Sequence, residues 1–300
     1  MTSLRDSILK TLIYFDLFDY PLNLLEIWKW LGTKASLNEV KKELDQLKEK
    51  VYCQDGFYFL SGRSELIQIR QERYNLSEIK FKRAGKFIKL LRYIPFIKTV
   101  FVCNRLGYSN IHADSDVDLA VIVSKNRLWL ARLLAVGLFN FLKVRPKQTL
   151  RSEAIDLSFF ISEDNLNLEN LVKEEAFVFP YWLSQFVPVF DRGKTKQFFQ
   201  SNRWLEKYLP NFLPYDLNLR RRVQDSLFSK LVRSVISLLT DYDYLEKLSE
   251  RYQMKIMPPQ LKRQINQSRE VIINQQMLKF HQGNHWQELK VSLEKKMVSL

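Results

Sequence analysis

Asp116 and Asp118 stand two residues apart at the head of an apolar run, Leu119 to Val123, in the stretch CNRLGYSNIHADSDVDLAVIV. Alternate residues of a strand share a face, so this spacing sets two carboxylates side by side. Like charges that close oppose each other's ionisation unless a cation lies between them. A third acid, Asp156, sits inside another apolar run, EAIDLSFFI at 153–161. Asp-x-Asp alone is common in turns. The strand that follows the pair and the third acid in a strand of its own are what single this constellation out.

The surrounding elements must position these acids. Residues 77–93 read as a helix with Lys80, Lys82, Arg83, Lys86, Lys89 and Arg92, the pattern of a solvated basic face. FIKTVFVC follows as a buried strand, then a turn-rich loop, then the strand 116–123. Asn126 to Leu142 forms an amphipathic helix, and 153–161 the third strand. The order is helix, strand, loop, strand, helix, strand.

That order, with Ser115-Asp116-Val117-Asp118-Leu119 and Asp156, resembles the nucleotidyltransferase superfamily of polymerase β, the CCA-adding enzymes and the aminoglycoside nucleotidyltransferases. The resemblance covers about residues 95–162. It implies two Mg2+ ions, or Mn2+, held by Asp116, Asp118 and Asp156, with a nucleoside triphosphate as substrate. The paired acids would clamp the metals, and the third would help hold one and activate the attacking hydroxyl. Two such ions stabilise the attacking and leaving oxygens together.

The sequence departs from the family upstream of the pair. Where the family has Gly-Ser, with the glycine letting backbone approach phosphate and the serine hydroxyl bonding it, this chain has Asn104-Arg105. Asn tolerates left-handed backbone, and Arg105 could grip phosphate with a charged fork or fill the pocket. Gly107 and Ser109 lie too close to Asp116 to replace the motif. Asn104, Arg105 and Ser115 are therefore the candidate nucleotide-binding residues. Two functions follow: a metal-dependent nucleotidyltransferase acting on an acceptor hydroxyl of a small molecule, protein or RNA, or a catalytically degenerate regulator that binds nucleotide or nucleic acid.

Ahead of this core, residues 3–17 and NLLEIWKWLG carry helical spacing. SLNEVKKELDQLKEK opens on the capping box Ser36/Glu39, and VYCQDGFYFLSG is a hairpin around Asp55-Gly56. Three helices and a hairpin resemble a winged helix. Its third helix shows a near-neutral outer face (Glu39, Lys41, Lys42, Glu43, Asp45, Lys48, Glu49, Lys50), which argues for packing or interaction rather than DNA binding.

Composition frames the whole. The 300 residues are 46% hydrophobic, so a substantial core is affordable, and the net charge is +14. Acids and bases cancel over residues 1–75, so the excess belongs to the middle and C-terminal parts, where it would attract phosphate. Cys53 and Cys103 form no disulfide or zinc pattern. No signal-peptide core is present and LWLARLLAVGLFNFLKV is too short and charged to span a bilayer, so a cytoplasmic protein with no membrane partner is expected. His281 and His285 could share a helix face but have no acidic partner in sequence. Lys125, Arg127 and Arg132 could steer phosphate or face solvent. From Leu166 on, the pattern reads as helical, with Arg220, Arg221, Arg222, Lys230 and Arg233 as a basic patch. The expected fold is α+β: a winged-helix-like domain (1–75), a small mixed-sheet nucleotidyltransferase core flanked by helices (76–165) and an all-α domain (166–300).

Overall fold

A computed structural model describes residues 3–146, 152, 154–172, 178–280 and 285–298. The first segment contains α1 (Leu4–Asp16), β1 (Leu22–Asn23), α2 (Leu24–Lys29), α3 (Leu37–Gln46), β2 (Val51–Gln54) and β3 (Phe57–Leu60). Each helix starts where its sequence supplies a cap. The Ser3 hydroxyl accepts from the Asp6 N–H, and Asn23/Glu26 and Ser36/Glu39 form reciprocal capping boxes. The hairpin turns through Asp55 at φ 52° and Gly56 at φ 77°, the two left-handed residues that a two-residue turn needs to match strand twist. The small sheet runs β1-β3-β2, all antiparallel.

The 26-residue α4 (Leu66–Leu91) leads into the main sheet, and a boundary between residues 75 and 76 would fall inside it. There follow β4 (Ile97–Val102), α5 (Asn104–Gly107), β5 (Val117–Val123), α6 (Leu128–Phe141), β6 (Ile155–Ser162), α7 (Val178–Ser184), β7 (Val187–Asp191) and α8 (Thr195–Ser201). The chain ends with α9 (Leu227–Thr240), α10 (Asp243–Ile256), α11 (Pro259–Gln264), β8 (Val271–Ile273), β9 (Met277–Phe280) and α12 (His285–Val298). The six-stranded sheet has the order β7-β4-β5-β6-β9-β8. Among the strands described, only β5 and β6 pair in parallel, joined through α6. The protein is thus an α+β chain with a mixed sheet and helices on both faces.

An all-α C-terminal domain does not form: β7, β8 and β9 all come from residues 166–300 and complete the sheet on both sides of β4–β6. The cause is local. These strands are three to five residues long, too short to show a period, and the pairing that makes them strands is with distant chain.

Alternation sorts the sheet's side chains into two layers. Val100, Val102, Leu119, Val121 and Phe160 face α4 and α6 through Ala84, Ile88, Trp129, Ala135 and Phe139. Phe101, Cys103, Ala120, Ile122, Phe159 and Ile161 face α7 and α8 through Trp182, Leu183, Phe186 and Phe198. The N-terminal segment has a core of its own that closes over Tyr108, Tyr181, Leu209 and Leu293. Tyr14 stacks on Tyr181, and the Tyr20 hydroxyl donates to the Tyr108 carbonyl at 2.7 Å, so the segment docks beside the loop after β4. Among the described residues no helix is long and apolar enough to cross a membrane.

Candidate active site

The end of β4 and the starts of β5 and β6 meet at one end of the sheet. Asp118 and Asp156 are register partners across the parallel β5–β6 pair, about 4.8 Å apart at the backbone. The alignment depends on a bulge: from that pair to Ala120/Phe159, β6 carries one residue more than β5. Bulges re-aim side chains and concentrate beside sites. Here the bulge sets Asp118 and Asp156 on the α7 face, in line with Ala120 and Phe159. Asp116 immediately precedes β5, and all three acids are half-buried.

The electrostatics follow from this crowding. Burial pushes the Asp118 carboxyl well above the usual carboxylate range, and the charges of Asp116 and Asp156 push it further. A hydrogen bond from the Asn104 amide opposes that rise. The same amide accepts from the Trp182 indole N–H at 2.6 Å, so Asn104 links the acid to α7. It does so at φ 55°, in the left-handed backbone that Asn visits more readily than most residues. Cys103 is a buried free thiol whose pKa is raised by burial and by the three acids, which keeps it un-ionised and inert.

Asp156 has an ion-pair partner, Arg145, at 3.1 Å. Behind it, burial lowers the pKa of Arg132 to about 10, and the arginine's Nε is buried with no hydrogen-bond partner. Arg132 therefore neither faces solvent nor flanks a phosphate path freely; it donates to Gln253 and lies over the Phe280 ring. Lys125 and Arg127 are drawn off to Asp164 and to Asp241 and Asp243.

Arg105 is exposed on α5 with its guanidinium 5.6 Å from the Phe18 ring centre, so it turns toward the N-terminal segment. Its charge is felt at Tyr108 and His112. His112 is half-buried, and burial with Arg73 and Arg105 lowers its pKa. The Ser115 carbonyl accepts from Lys80 Nζ at 2.6 Å. Gly107 lies so close to the chain after α7 that a Cβ there would stand 2.1 Å from the Gln185 carbonyl oxygen. That contact, and not phosphate binding, accounts for the glycine. His281 lies outside the described residues.

Two buried lysines escape a reading by sequence. Lys80, expected on a solvated basic face, is buried, and its ammonium donates to the carbonyls of Ala113 (3.1 Å), Ser115 and Ser152. It ties the acidic loop to the segment before β6. Its spacing with Ser77, Phe81, Ala84 and Ile88, all on the inner face of α4, was the available signal. Lys279 on β9 is opposite Phe159, buried, with its pKa lowered by burial to about 8, and 5.8 Å from the Trp182 ring centre. Nothing in its local sequence marks it.

The donor set is all oxygen, which suits a hard divalent cation, and the mutual repulsion at Asp118 is what such a charge relieves. Among the described residues, however, no group of three or more His, Cys, Asp or Glu is assembled to hold a metal. Asp156 is turned to Arg145 instead. A cavity of about 800 Å3 lies elsewhere, lined by Thr195, Phe199, Phe212 and Tyr215 and by none of the three acids. No family model, curated protein or solved structure matches the chain.

Proposed function

We propose that the protein is a metal-dependent nucleotidyltransferase, moving a nucleoside monophosphate from a nucleoside triphosphate to an acceptor hydroxyl. In this reading residues 95–162 are a nucleotidyltransferase core and the N-terminal segment is a winged-helix-like module. The observation that carries it is the placement of Asp116, Asp118 and Asp156 on one sheet end, close enough that their charges act on one another. Such repulsion is costly to keep without a purpose. Mg2+ or Mn2+ bound there would supply charge neutralisation of the triphosphate and of the developing oxyanions.

The chain's own residues then have definable tasks. Asp116, just before β5, and Asp118, two residues on within it, would hold the cations. Asp156, once released from Arg145, would add a ligand and take the proton of the acceptor hydroxyl. Asn104 fixes the orientation of Asp118 through its paired bonds to that acid and to Trp182. Lys80 holds the loop from Ala113 to Ser115 in place. Arg145, once free of Asp156, is positioned to meet phosphate.

A specific observation favours the regulator as second reading. Asn104 is tied to Trp182 where the family's phosphate-binding Gly-Ser would lie, and Asp156 is occupied by Arg145. Incubation with labelled ATP, CTP, GTP or UTP, Mg2+ and a cell extract separates the two. Label transfer that disappears in Asp116→Asn/Asp118→Asn supports the enzyme. Nucleotide binding by calorimetry without transfer under any condition supports the regulator. Neither binding nor transfer removes both.

A further inference from the structure

Helix α9 is mounted inside out. Leu227, Phe228, Leu231, Val235, Leu238 and Leu239 are 52 to 84% exposed, while Ser229 is buried and Arg233 is turned inward to Asp225. At about 100° per residue those six apolar side chains fall within an arc of roughly 120°, a clean stripe of the kind a surface helix turns to the core. Here the polar side has taken the core position. Tyr242 and Tyr244 continue the stripe past the end of α9, their rings 5.8 Å apart, and Leu248 and Tyr252 extend it along α10.

The stripe is also held rigidly. Ser226 caps α9 in a capping box, and Asp225 just before it anchors both Arg192 and Arg233. At the far end Arg127 binds Asp241 and Asp243, and Glu246 accepts from the backbone N–H groups of Trp129 and Leu130 at the start of α6. A helix fixed at both ends in this way cannot roll its apolar side inward.

We propose that this face is a symmetric interface with a second copy of the chain, α9 packing against α9 of the partner. Three considerations select that occupant. The apolar area is on the order of 1,000 Å2, well above the patches monomers expose and close to the ~800 Å2 per partner of a stable dimer. The arc from Leu227 to Leu239 contains no charged side chain, so the contact itself brings no like charges together, the +14 of each copy being carried outside it. A two-fold contact demands a self-complementary surface, and an uncharged aliphatic ridge interdigitates with its own copy. An anionic bilayer would instead select basic side chains at the stripe, and every Lys and Arg of α9 lies outside the arc.

The test is sedimentation velocity of the full chain across a hundredfold range of concentration. A species of twice 35.9 kDa at micromolar concentration is expected. Leu231→Glu/Leu238→Glu, in which unchanged circular dichroism shows that the exposed positions do not disturb the fold, is expected to weaken dimerisation at least a hundredfold. A wild-type chain that stays monomeric throughout overturns the proposal, as does a double variant that dimerises as well as wild type. A monomer that floats with vesicles of equal phosphatidylglycerol and phosphatidylcholine overturns it in favour of a lipid surface. None of these readouts depends on the acidic site.

Discussion

In the N-terminal segment each carboxylate set against a cation is gripped by it. Glu26 receives both terminal nitrogens of Arg70 at 2.8 Å, and Asp16 is bound by Arg63 and Lys296. At the acidic end of the sheet, by contrast, Asp118 faces two further acids, and the strongest help it receives is one neutral amide. The first region is arranged for stability. The second accepts a standing electrostatic cost on a strand that apolar packing holds in place on both faces. Sites with a task beyond folding show this pattern, because the groups that must meet substrate charge cannot already be neutralised.

Lys80 is the exception within the acidic region, and so the point where the comparison can be broken hardest. Its ammonium donates to three backbone carbonyls. Lys80→Met keeps the stem and removes the ammonium, leaving the carbonyls of Ala113, Ser115 and Ser152 unpaired inside the protein. We expect a loss of about 4 kcal/mol in urea unfolding. A loss under about 1 kcal/mol would show that the acidic loop needs no such anchor.

The paired region sets the reference for this figure. Glu26→Gln leaves the half-buried Arg70 with a neutral partner, the Pro21 carbonyl and the Tyr20 and Phe57 rings. About 2–3 kcal/mol of destabilisation is expected. If unfolding measurements put Glu26→Gln within error of wild type, the ion pairs of this segment are ornamental and the contrast drawn above disappears.

How far the sequence announced these regions differs in the same way. In the N-terminal segment the three helices and the hairpin were legible, though not β1, because capping boxes and an Asp-Gly turn act over three or four positions: Ser36/Glu39 and Asp55-Gly56 specify their own geometry. The strand–helix–strand course from β4 to β6 was legible from apolar runs, and the spacing of Asp116 and Asp118 from strand alternation. What could not be read is whatever depends on register with distant chain. The bulge that aligns Asp156 with Asp118 is set by pairing, and β7 to β9 become strands only because β4 and β6 offer them edges. The basic run of α4 misled for a related reason: composition marked it as solvated, while helical phase placed Lys80 on the inner face.

The pH dependence of Asp118 tests the unrelieved charge directly. Its folded pKa is raised, so the folded protein holds that proton more firmly than the unfolded chain, whose carboxyl titrates near 3.9. The corresponding stability is present in acid and is lost as pH rises through the folded pKa. Asp118→Asn removes the charge and keeps the shape. In metal-free buffer it is expected to be neutral near pH 4 and to stabilise by about 1–2 kcal/mol near pH 8; with Mg2+ restored, the nucleotide transfer proposed above is expected to be lost. A variant that destabilises at pH 8 would mean that the carboxylate is already well compensated.

The smallest effect is expected at Arg105, and it sharpens the comparison because this residue stands between the two regions. In the resemblance to the nucleotidyltransferases it stands where they have a phosphate-binding serine, and in that role Arg105→Ala would weaken triphosphate affinity ten- to hundredfold. The side chain is turned the other way, over Phe18, and Asp118 owes its raised pKa first to burial and then to the charges of Asp116 and Asp156, with Asn104 acting against the rise. An exposed cation–π contact of that kind contributes about 0.5–1 kcal/mol. We therefore expect Arg105→Ala to cost under 1 kcal/mol in stability and to change nucleotide affinity by less than about threefold, at the edge of what calorimetry resolves. Asn104→Ala, which cuts the tie between Asp118 and Trp182, should have the larger effect on binding. A tenfold loss at Arg105 would show that the guanidinium swings from Phe18 to the triphosphate when nucleotide arrives. A gain in affinity would show that it screens a pocket the regulator keeps closed.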